Sequence, residues 1–349
     1  MNKYTTQLLD VDNALALFRR HPVDAVSEPE GYERGYNRQL GKSHGDFADF
    51  RQTVMKTAQK IVRVTLDKKI KHTITAGACG AAGALHVKAK VGDDADAVPA
   101  YFLPWDQRGG SVQMTIPSGG GTDLNAHPQL FFTAALSGCS ILIKGTPSQP
   151  TIIHAGSGQL PLPYDANKFW KDFVEHLDSH PDPAIKHRKS GLGVKAQATK
   201  SEYVTGIEID DKVSFTGKSK TTQHAVDYHR KLSKHYGDTV EIANVAPWGA
   251  VFGVRRGSDW TFYLQENANI TYYPRRKIQQ VLEYTKGAPV YLPDKWVREM
   301  GPEHIVSRPM ALQVVFPEGG AKAELTNRWR SLLRTDPLSD SPAAYPHEG

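Results

Sequence analysis

The stretch "LSGCSILIKGTPSQPTIIHAG", residues 136–156, predicts a β-hairpin. Two short runs rich in isoleucine are separated by Gly-Thr-Pro-Ser, a combination typical of a tight turn between strands. A cysteine opens the first run, and a histidine lies near the end of the second. The register of this hairpin therefore decides whether the two side chains meet.

The length of the loop sets the predicted register. If Gly145–Ser148 forms a four-residue loop, Lys144 pairs with Gln149 and, further along, Cys139 lies directly opposite His154. Directly opposed residues share one face of a sheet, with their Cβ atoms about 4.5–5.5 Å apart. We therefore expect the thiol and the imidazole to be within hydrogen-bond reach. A slip of one residue would send them to opposite faces.

A cysteine beside a histidine can act as a nucleophile. A thiol with the ordinary pKa of about 8.5 is mostly protonated at neutral pH, and a neighbouring imidazolium stabilises the thiolate. The thiolate attacks a carbonyl carbon, and the imidazolium protonates the leaving amine. Ser137 and Gly138 allow a sharp entry to the strand, where the backbone N–H of Gly138 or Cys139 could face an oxyanion. The same spacing also fits a buried strand cysteine opposite a core histidine.

The segment from Thr133 to Gly156 resembles the catalytic core of the cytotoxic necrotizing factor toxins, a family of bacterial protein-glutamine deamidases. The resemblance rests on Leu-Ser-Gly before Cys139, on a histidine fifteen residues later and on the hairpin context. Lethal-factor-type toxins and chemotaxis receptor deamidases share the arrangement. In those two groups a threonine stands six residues before the cysteine, as Thr133 does here.

The resemblance implies a reaction and a role for each residue. Cys139 would attack a glutamine carboxamide, releasing ammonia and leaving a thioester that water hydrolyses to glutamate. His154 would be the general base and acid, and Thr133 the third, orienting group. Asn125 is a second candidate for orienting the histidine, although its spacing departs from the family pattern. The implied protein substrate is a Rho-type GTPase, and the implied role is that of a secreted toxin or virulence effector in the host cytosol.

The composition limits the other function classes. The 349 residues are 39% hydrophobic and 23% charged, with a net charge of +6, as in a soluble globular protein. Lysine and arginine are spread along the chain, so no nucleic-acid partner is expected. No run approaches the about 18 apolar residues of a membrane-spanning helix, and we expect no conventional signal peptide. Two cysteines make neither a disulfide framework nor a zinc site, and no cofactor is expected.

The distribution of glycine, proline and other turn-forming residues along the chain predicts four parts and an α+β fold. We expect a loosely ordered N-terminal segment over 1–47, a deamidase-like β-sandwich domain over 48–275, a helical extension over 276–335 and a polar tail over 336–349. Many short strands with few helices favour a sandwich over a doubly wound sheet.

Several elements are predicted within these parts. The pair of strands around Gly257 is expected to form a hairpin with a three-residue loop. Apolar residues at three- and four-residue spacing predict a helix near 50–66. Further helices are expected near 13–20, 166–177 and 222–236.

Two other functions fit the same residues. A transglutaminase would resolve the Cys139 thioester with an amine in place of water. A non-enzymatic binding protein would keep Cys139 inert and buried, and the reactivity of its thiol would distinguish it from an enzyme. For either enzyme we expect a shallow cleft, shaped by the loops 117–123 and 155–163, that admits a protruding glutamine.

Overall fold

The computed structural model is a strand-rich α+β protein. This confirms the predicted fold class at the level of its secondary structure. The parts of the chain that the structure describes are residues 1–32, 55–57, 61–68, 83–105, 111–136, 139–155, 194–198, 207–208, 240–278, 281–285, 288–291, 295–298, 304–317 and 323–324.

Short helices come first, and strands follow. The helical segments are α1 (Lys3–Thr6), the 3-10 turn η1 (Gln7–Leu9) and α2 (Val11–Phe18). The strands are β1 (Val23–Ala25), β2 (Met55–Thr57), β3 (Ile61–Lys68), β4 (Leu85–Lys90), β5 (Val98–Leu103), β6 (Ser111–Thr115), β7 (Leu130–Thr133), β8 (Ser140–Thr146), β9 (Gln149–Ala155), β10 (Val194–Ala198), β11 (Ile207–Glu208), β12 (Val240–Arg256), β13 (Asp259–Ile278), β14 (Val281–Thr285), β15 (Ala288–Tyr291), β16 (Lys295–Arg298), β17 (His304–Phe316) and β18 (Ala323–Glu324).

The described strands form two large sheets and one small one. In the main sheet the order is β1-β4-β3-β5-β7-β12-β13-β17-β18, with β11 added to β12 and β16 to β13. The second sheet has the order β10-β8-β9-β6-β2, and β14 pairs with β15. The predicted Cys–His hairpin is thus the centre of the second sheet.

One face of the main sheet is covered by the N-terminal helices. Phe18 of α2 lies against Phe132 and Phe252, with ring centroids 5.8 and 4.8 Å away. Residues of both large sheets form a second core, which we call the inter-sheet cluster. Its members are Tyr101, Leu103, Val112, Met114, Ile116, Phe131, Leu136, Cys139, Ile141, Ile143, Ile152, Ala196, Ala198, Val251, Trp260, Phe262, Leu264, Val315 and Phe316.

The beginning of the chain is ordered, contrary to the loose segment predicted for 1–47. Strand β1 pairs in parallel with β4, and the backbone N–H of Val23 donates to Gln265 Oε1 at 2.8 Å. Gln265 Nε2 donates to the carbonyl oxygen of His21 at 2.9 Å and to that of Phe18. These bonds join the stretch from Phe18 to Val23 to β13. The prediction is wrong for residues 1–32, and the rest of that segment lies outside the described residues.

The helix predicted over 50–66 is wrong where the structure describes it. Residues 55–57 and 61–68 are strands, and Val62, Val64 and Leu66 are buried in alternation with more exposed neighbours. This spacing of two, carried largely by β-branched residues, outweighs the helical spacing of the wider window.

The helices expected over 276–335 are likewise not found in its described parts, which are strands. Strand β17 pairs with β13 over the length from Phe262↔Phe316 to Tyr272↔His304. This stretch therefore adds a strand to the main sheet.

The hairpin at Gly257 is confirmed, with a tighter loop than predicted. Arg256 pairs with Asp259, so that Gly257 and Ser258 alone form the turn. Gly257 has a φ of 63°, which glycine adopts without strain. Of the other predicted helices, the one near 13–20 is observed as α2, and those at 166–177 and 222–236 lie outside the described residues. Where the structure is described, it holds no helix long and apolar enough to cross a membrane.

Candidate functional site

The β8–β9 hairpin has a register two residues away from the predicted one. Thr146 pairs with Gln149, and Ile141 lies directly opposite His154. The prediction that Cys139 lies directly opposite His154 is therefore wrong. Because the difference is two residues and not one, the parity is unchanged, and residues predicted to share a face still do so.

The turn chemistry explains the tighter loop. Pro147 and Ser148 form a two-residue turn, for which the fixed φ of proline suits the first position. Gly145 has a φ of 90°, and a Cβ there would come within 2.5 Å of the Gln149 carbonyl oxygen. The backbone can therefore pair closely on both sides of Gly145, and the strands continue to Thr146.

Cys139 and His154 lie one diagonal apart on the same side of the second sheet. Cys139 immediately precedes β8 and belongs to the inter-sheet cluster with Ile141. His154 is flanked by Ile141 on one strand and by Val112 on the other, and both belong to that cluster. Diagonal neighbours in an antiparallel pair are separated by roughly 7–8 Å, within reach of a long or aromatic side chain. Cys139 and His154 therefore face the same apolar layer without being directly paired.

His154 is a buried, neutral imidazole. Its side chain is 1% exposed, and neither Nδ1 nor Nε2 has a hydrogen-bond partner among the described residues. Burial lowers the pKa of His154 from 6.5 to about 3, because the charged form loses its hydration. The expectation that a preformed imidazolium stabilises the Cys139 thiolate is therefore wrong for this state of the protein.

Cys139 is a thiol in an apolar setting. The residue is 6% exposed and forms no disulfide with the described part of the chain. The oxyanion candidates Ser137 and Gly138 lie outside the described residues. The site that the structure does describe consists of a thiol and a neutral base at one end of the inter-sheet cluster.

Thr133 reaches the same layer but does not orient His154. It is the last residue of β7, 1% exposed, and it alternates with Phe131, which belongs to the inter-sheet cluster. Its hydroxyl donates to the carbonyl oxygen of Ala134 at 2.9 Å. The role of third group is therefore not observed, because a local bond takes the hydroxyl proton.

Asn125 is even less suited to orient the histidine. It is exposed, and its Oδ1 accepts a hydrogen bond from Arg63 Nη1 at 2.7 Å. Its backbone N–H donates to Asp123 Oδ1 at 2.9 Å. Asn125 belongs to an exposed loop turn, and the prediction that it contacts His154 is wrong.

The glycine-rich loop 117–123 lies at the opposite end of the second sheet from Cys139. It follows Ile116, whose N–H donates to the Pro150 carbonyl oxygen near the hairpin turn. Strand β8 separates that turn from Cys139 by about 20 Å at roughly 3.3 Å per residue. The loop therefore does not rim the proposed cleft, and the segment 156–163 is outside the described residues.

Arg255 holds this loop in place. Its Nη1 donates to the Gly119 carbonyl oxygen at 2.7 Å, and its Nη2 donates to that of His127. Its guanidinium lies 5.8 Å from the centre of the Trp260 ring, a cation–π contact. The sequence alone did not indicate this role, which requires the packing of two hairpins against each other.

Trp105 is a residue near the site that the sequence analysis missed. Its side chain packs against the inter-sheet cluster, and its indole nitrogen is buried without a hydrogen-bond partner among the described residues. The signal was the alternation of Tyr101, Leu103 and Trp105, which puts all three on one side of β5 and its extension. In the parts of the chain that are described, no three acidic, histidine or cysteine side chains converge to hold a metal ion.

Comparison with known proteins does not assign the chain to a family. No protein-family model matches the chain, and no curated protein gives a significant match.

Proposed function

We propose that this protein is a cysteine-dependent protein-glutamine deamidase whose nucleophile is Cys139 and whose base is His154. The observation that carries the proposal is their placement on one side of adjacent strands, one diagonal apart, with both imidazole nitrogens unpartnered. An unpartnered polar group in a buried position costs free energy, and a catalytic role is one of the reasons for which proteins keep such a group.

The neutral state of His154 determines how the reaction begins. The imidazole takes the thiol proton as sulfur attacks the carboxamide carbon of the substrate glutamine, so no preformed ion pair is needed. Negative charge appears on the carbonyl oxygen and favours the new imidazolium beside it. That imidazolium gives its proton to the amide nitrogen, the C–N bond breaks, and ammonia leaves.

Hydrolysis of the thioester completes the cycle. His154, neutral again, takes a proton from water as the water oxygen attacks the thioester carbon. The C–S bond then breaks, the thiol regains its proton, and the product is a glutamate side chain. The net change is the exchange of an amide nitrogen for a water oxygen.

The biological setting of this proposal comes from the family resemblance. It includes a deamidase-type β-sandwich, the role of a toxin or virulence effector secreted without a conventional signal peptide, and action in the host cytosol. The proposed substrate is a folded protein of the Rho GTPase class. The shared core between the two large sheets supports the sandwich.

One observation favours the non-enzymatic alternative. Cys139 and His154 are 6% and 1% exposed, so a substrate glutamine can reach them only if the residues that cover them move aside. Under this alternative Cys139 is an inert core thiol and the protein acts by binding.

The deciding experiment is peptide mass spectrometry of purified Rho-family GTPases incubated with the protein. The wild-type protein should convert a glutamine to glutamate, a gain of about 1 Da, and C139S should not. The matched control is C79S, which replaces the other of the two cysteines and should keep the activity. Methylamine added in a parallel sample separates the two enzyme hypotheses, because a transglutaminase would attach it. Conversion that persists in C139S would refute the assignment of the nucleophile.

A further inference from the structure

The end of the two sheets that carries Cys139 and His154 also carries Trp105. In the main sheet Leu103 pairs with Thr133, and the Ala134 N–H donates to the Leu103 carbonyl oxygen at 3.1 Å. Trp105 follows Leu103 by two residues, so it lies at the level where β7 has ended and the chain runs towards Cys139. The backbone N–H of Trp105 donates to the Ser27 carbonyl oxygen at 2.9 Å, which fixes this position.

The end of the second sheet that carries His154 lies beside the end of the main sheet that carries Trp105. Strand β6 begins at Ser111, which pairs with Ala155, and the next residue, Val112, pairs with His154. The opposite end of this sheet is identified independently, because the Trp260 N–H donates to the carbonyl oxygen of Pro147 in the hairpin turn at 2.9 Å. Trp105 and His154 therefore lie at the same end of one apolar layer.

Three buried nitrogen atoms without partners among the described residues belong to side chains at this end. They are Nε1 of Trp105 and the two ring nitrogens of His154. Buried tryptophan N–H groups usually find an acceptor, and leaving one unmade is costly. Trp105 is also only partly buried as a residue, whereas Leu103 before it is completely buried. An acceptor arriving from the surface would meet a donor already in place.

We propose that Trp105 is a substrate-binding residue of this site, whose indole N–H donates a hydrogen bond to the carbonyl oxygen of the glutamine carboxamide. The inference rests on the proposed deamidase function. The same bond strengthens as that oxygen gains negative charge during attack, because a fixed donor in a water-poor site stabilises an oxyanion.

The test compares two alkylating reagents on Cys139, followed by peptide mass spectrometry. Iodoacetamide carries a carboxamide, and iodomethane has the same leaving group without a hydrogen-bond acceptor. W105F keeps the ring and removes the N–H. We expect W105F to slow the alkylation of Cys139 by iodoacetamide by about fivefold to tenfold, which corresponds to the loss of one hydrogen bond in the transition state. The rate of its alkylation by iodomethane should stay within about twofold of the wild-type rate. W248F is the control, because the Trp248 N–H donates to Asn269 Oδ1 and belongs to the other core.

The outcomes separate this inference from the proposed function. An unchanged iodoacetamide rate in W105F, or an equal loss with both reagents, would overturn the role of Trp105 and leave Cys139 a reactive nucleophile. A wild-type Cys139 that reacts with neither reagent in the folded protein would overturn the proposed function, and this inference with it.

Discussion

Ile141, and not Cys139, lies directly opposite His154. The imidazole is therefore held between two aliphatic side chains, Ile141 and Val112, while the thiol lies one diagonal away. In this state the two groups lie on the same side of the sheet, and neither imidazole nitrogen forms a hydrogen bond with a described residue. Catalytic hydrogen bonds are often long or absent before substrate binds, and such a geometry fits that pattern.

The burial of His154 predicts a dependence of stability on pH. The unfolded chain has a histidine pKa of about 6.5, and the folded protein holds the pKa of His154 at about 3. Between these values only the unfolded state binds the proton. The contribution of His154 to the free energy of unfolding should therefore be greatest above pH 6.5 and fall as the pH drops towards 3. The decrease should be roughly 2 kcal/mol at pH 5.

Urea unfolding at pH 7 and pH 5 measures this effect. Between pH 7 and pH 5, the free energy of unfolding of H154L should fall by about 2 kcal/mol less than that of the wild-type protein. W248F, which changes the other core and removes no titratable group, should behave like the wild-type protein. Equal losses in H154L and wild type would show that His154 is not held neutral.

The observed register predicts which engineered cysteines can be joined. Lys144 lies directly opposite Thr151, whereas the predicted register would have opposed it to Gln149. We expect K144C/T151C, in a background lacking the two native cysteines, to form a disulfide on mild oxidation, because directly paired residues have suitable Cα separations. K144C/Q149C is a diagonal pair and should remain reduced. Peptide mapping without reductant reads the result, and the reverse pattern would restore the four-residue loop.

Arg255 should matter for the glycine-rich loop and not for Cys139. R255M removes the bonds to Gly119 and His127, so we expect a loss of about 1–3 kcal/mol in unfolding free energy and faster hydrogen exchange over 117–127. The alkylation rate of Cys139 should stay within about twofold, because the hairpin turn beside the loop is separated from Cys139 by the length of β8, about 20 Å. R255K, which keeps the charge, should be intermediate. A large change in Cys139 reactivity would contradict the separation of the two ends.

Substitution of Gln265 should lower the free energy of unfolding more than substitution of most other buried polar residues. Q265L leaves the Val23 N–H and the carbonyl oxygens of Phe18 and His21 without their partner, so we expect a loss of about 2–4 kcal/mol. Chemical denaturation measures the loss, and exchange of the Val23 amide localises it. Gln313 on β17 is partly exposed, and Q313L should cost less than about 0.5 kcal/mol. Similar losses in the two variants would argue against a special role for Gln265.

The sequence indicated the strands of the hairpin well because their signals are local. Isoleucine-rich runs and the turn residues around Pro147 need no knowledge of the rest of the chain. The register needed one more fact, the left-handed backbone of Gly145, which lets the strands pair beyond it. The same-face placement of Cys139 and His154 survived only because the difference was an even number of residues.

The errors fall where distant segments decide the structure. The stretch containing Val62 and Val64 carries helical and strand spacing at once, and its pairing with β4 and β5 selects the strand. The environment of His154 depends on Val112, 42 positions earlier, and no local pattern predicts that contact. Trp105 and Arg255 were missed for the same reason, since their roles exist only once separate hairpins have packed.

The bonds between Gln265 and the beginning of the chain have a consequence for synthesis in the cell. Val23 and its acceptor are separated by 242 positions. At about 5–20 residues per second, a ribosome needs roughly 12–50 s to make the intervening chain. During that interval the first strand has emerged without the glutamine that satisfies it. The segment around Val23 therefore leaves the ribosome long before Gln265 and can reach its final place only after Gln265 has been made, a period in which a chaperone would find it exposed.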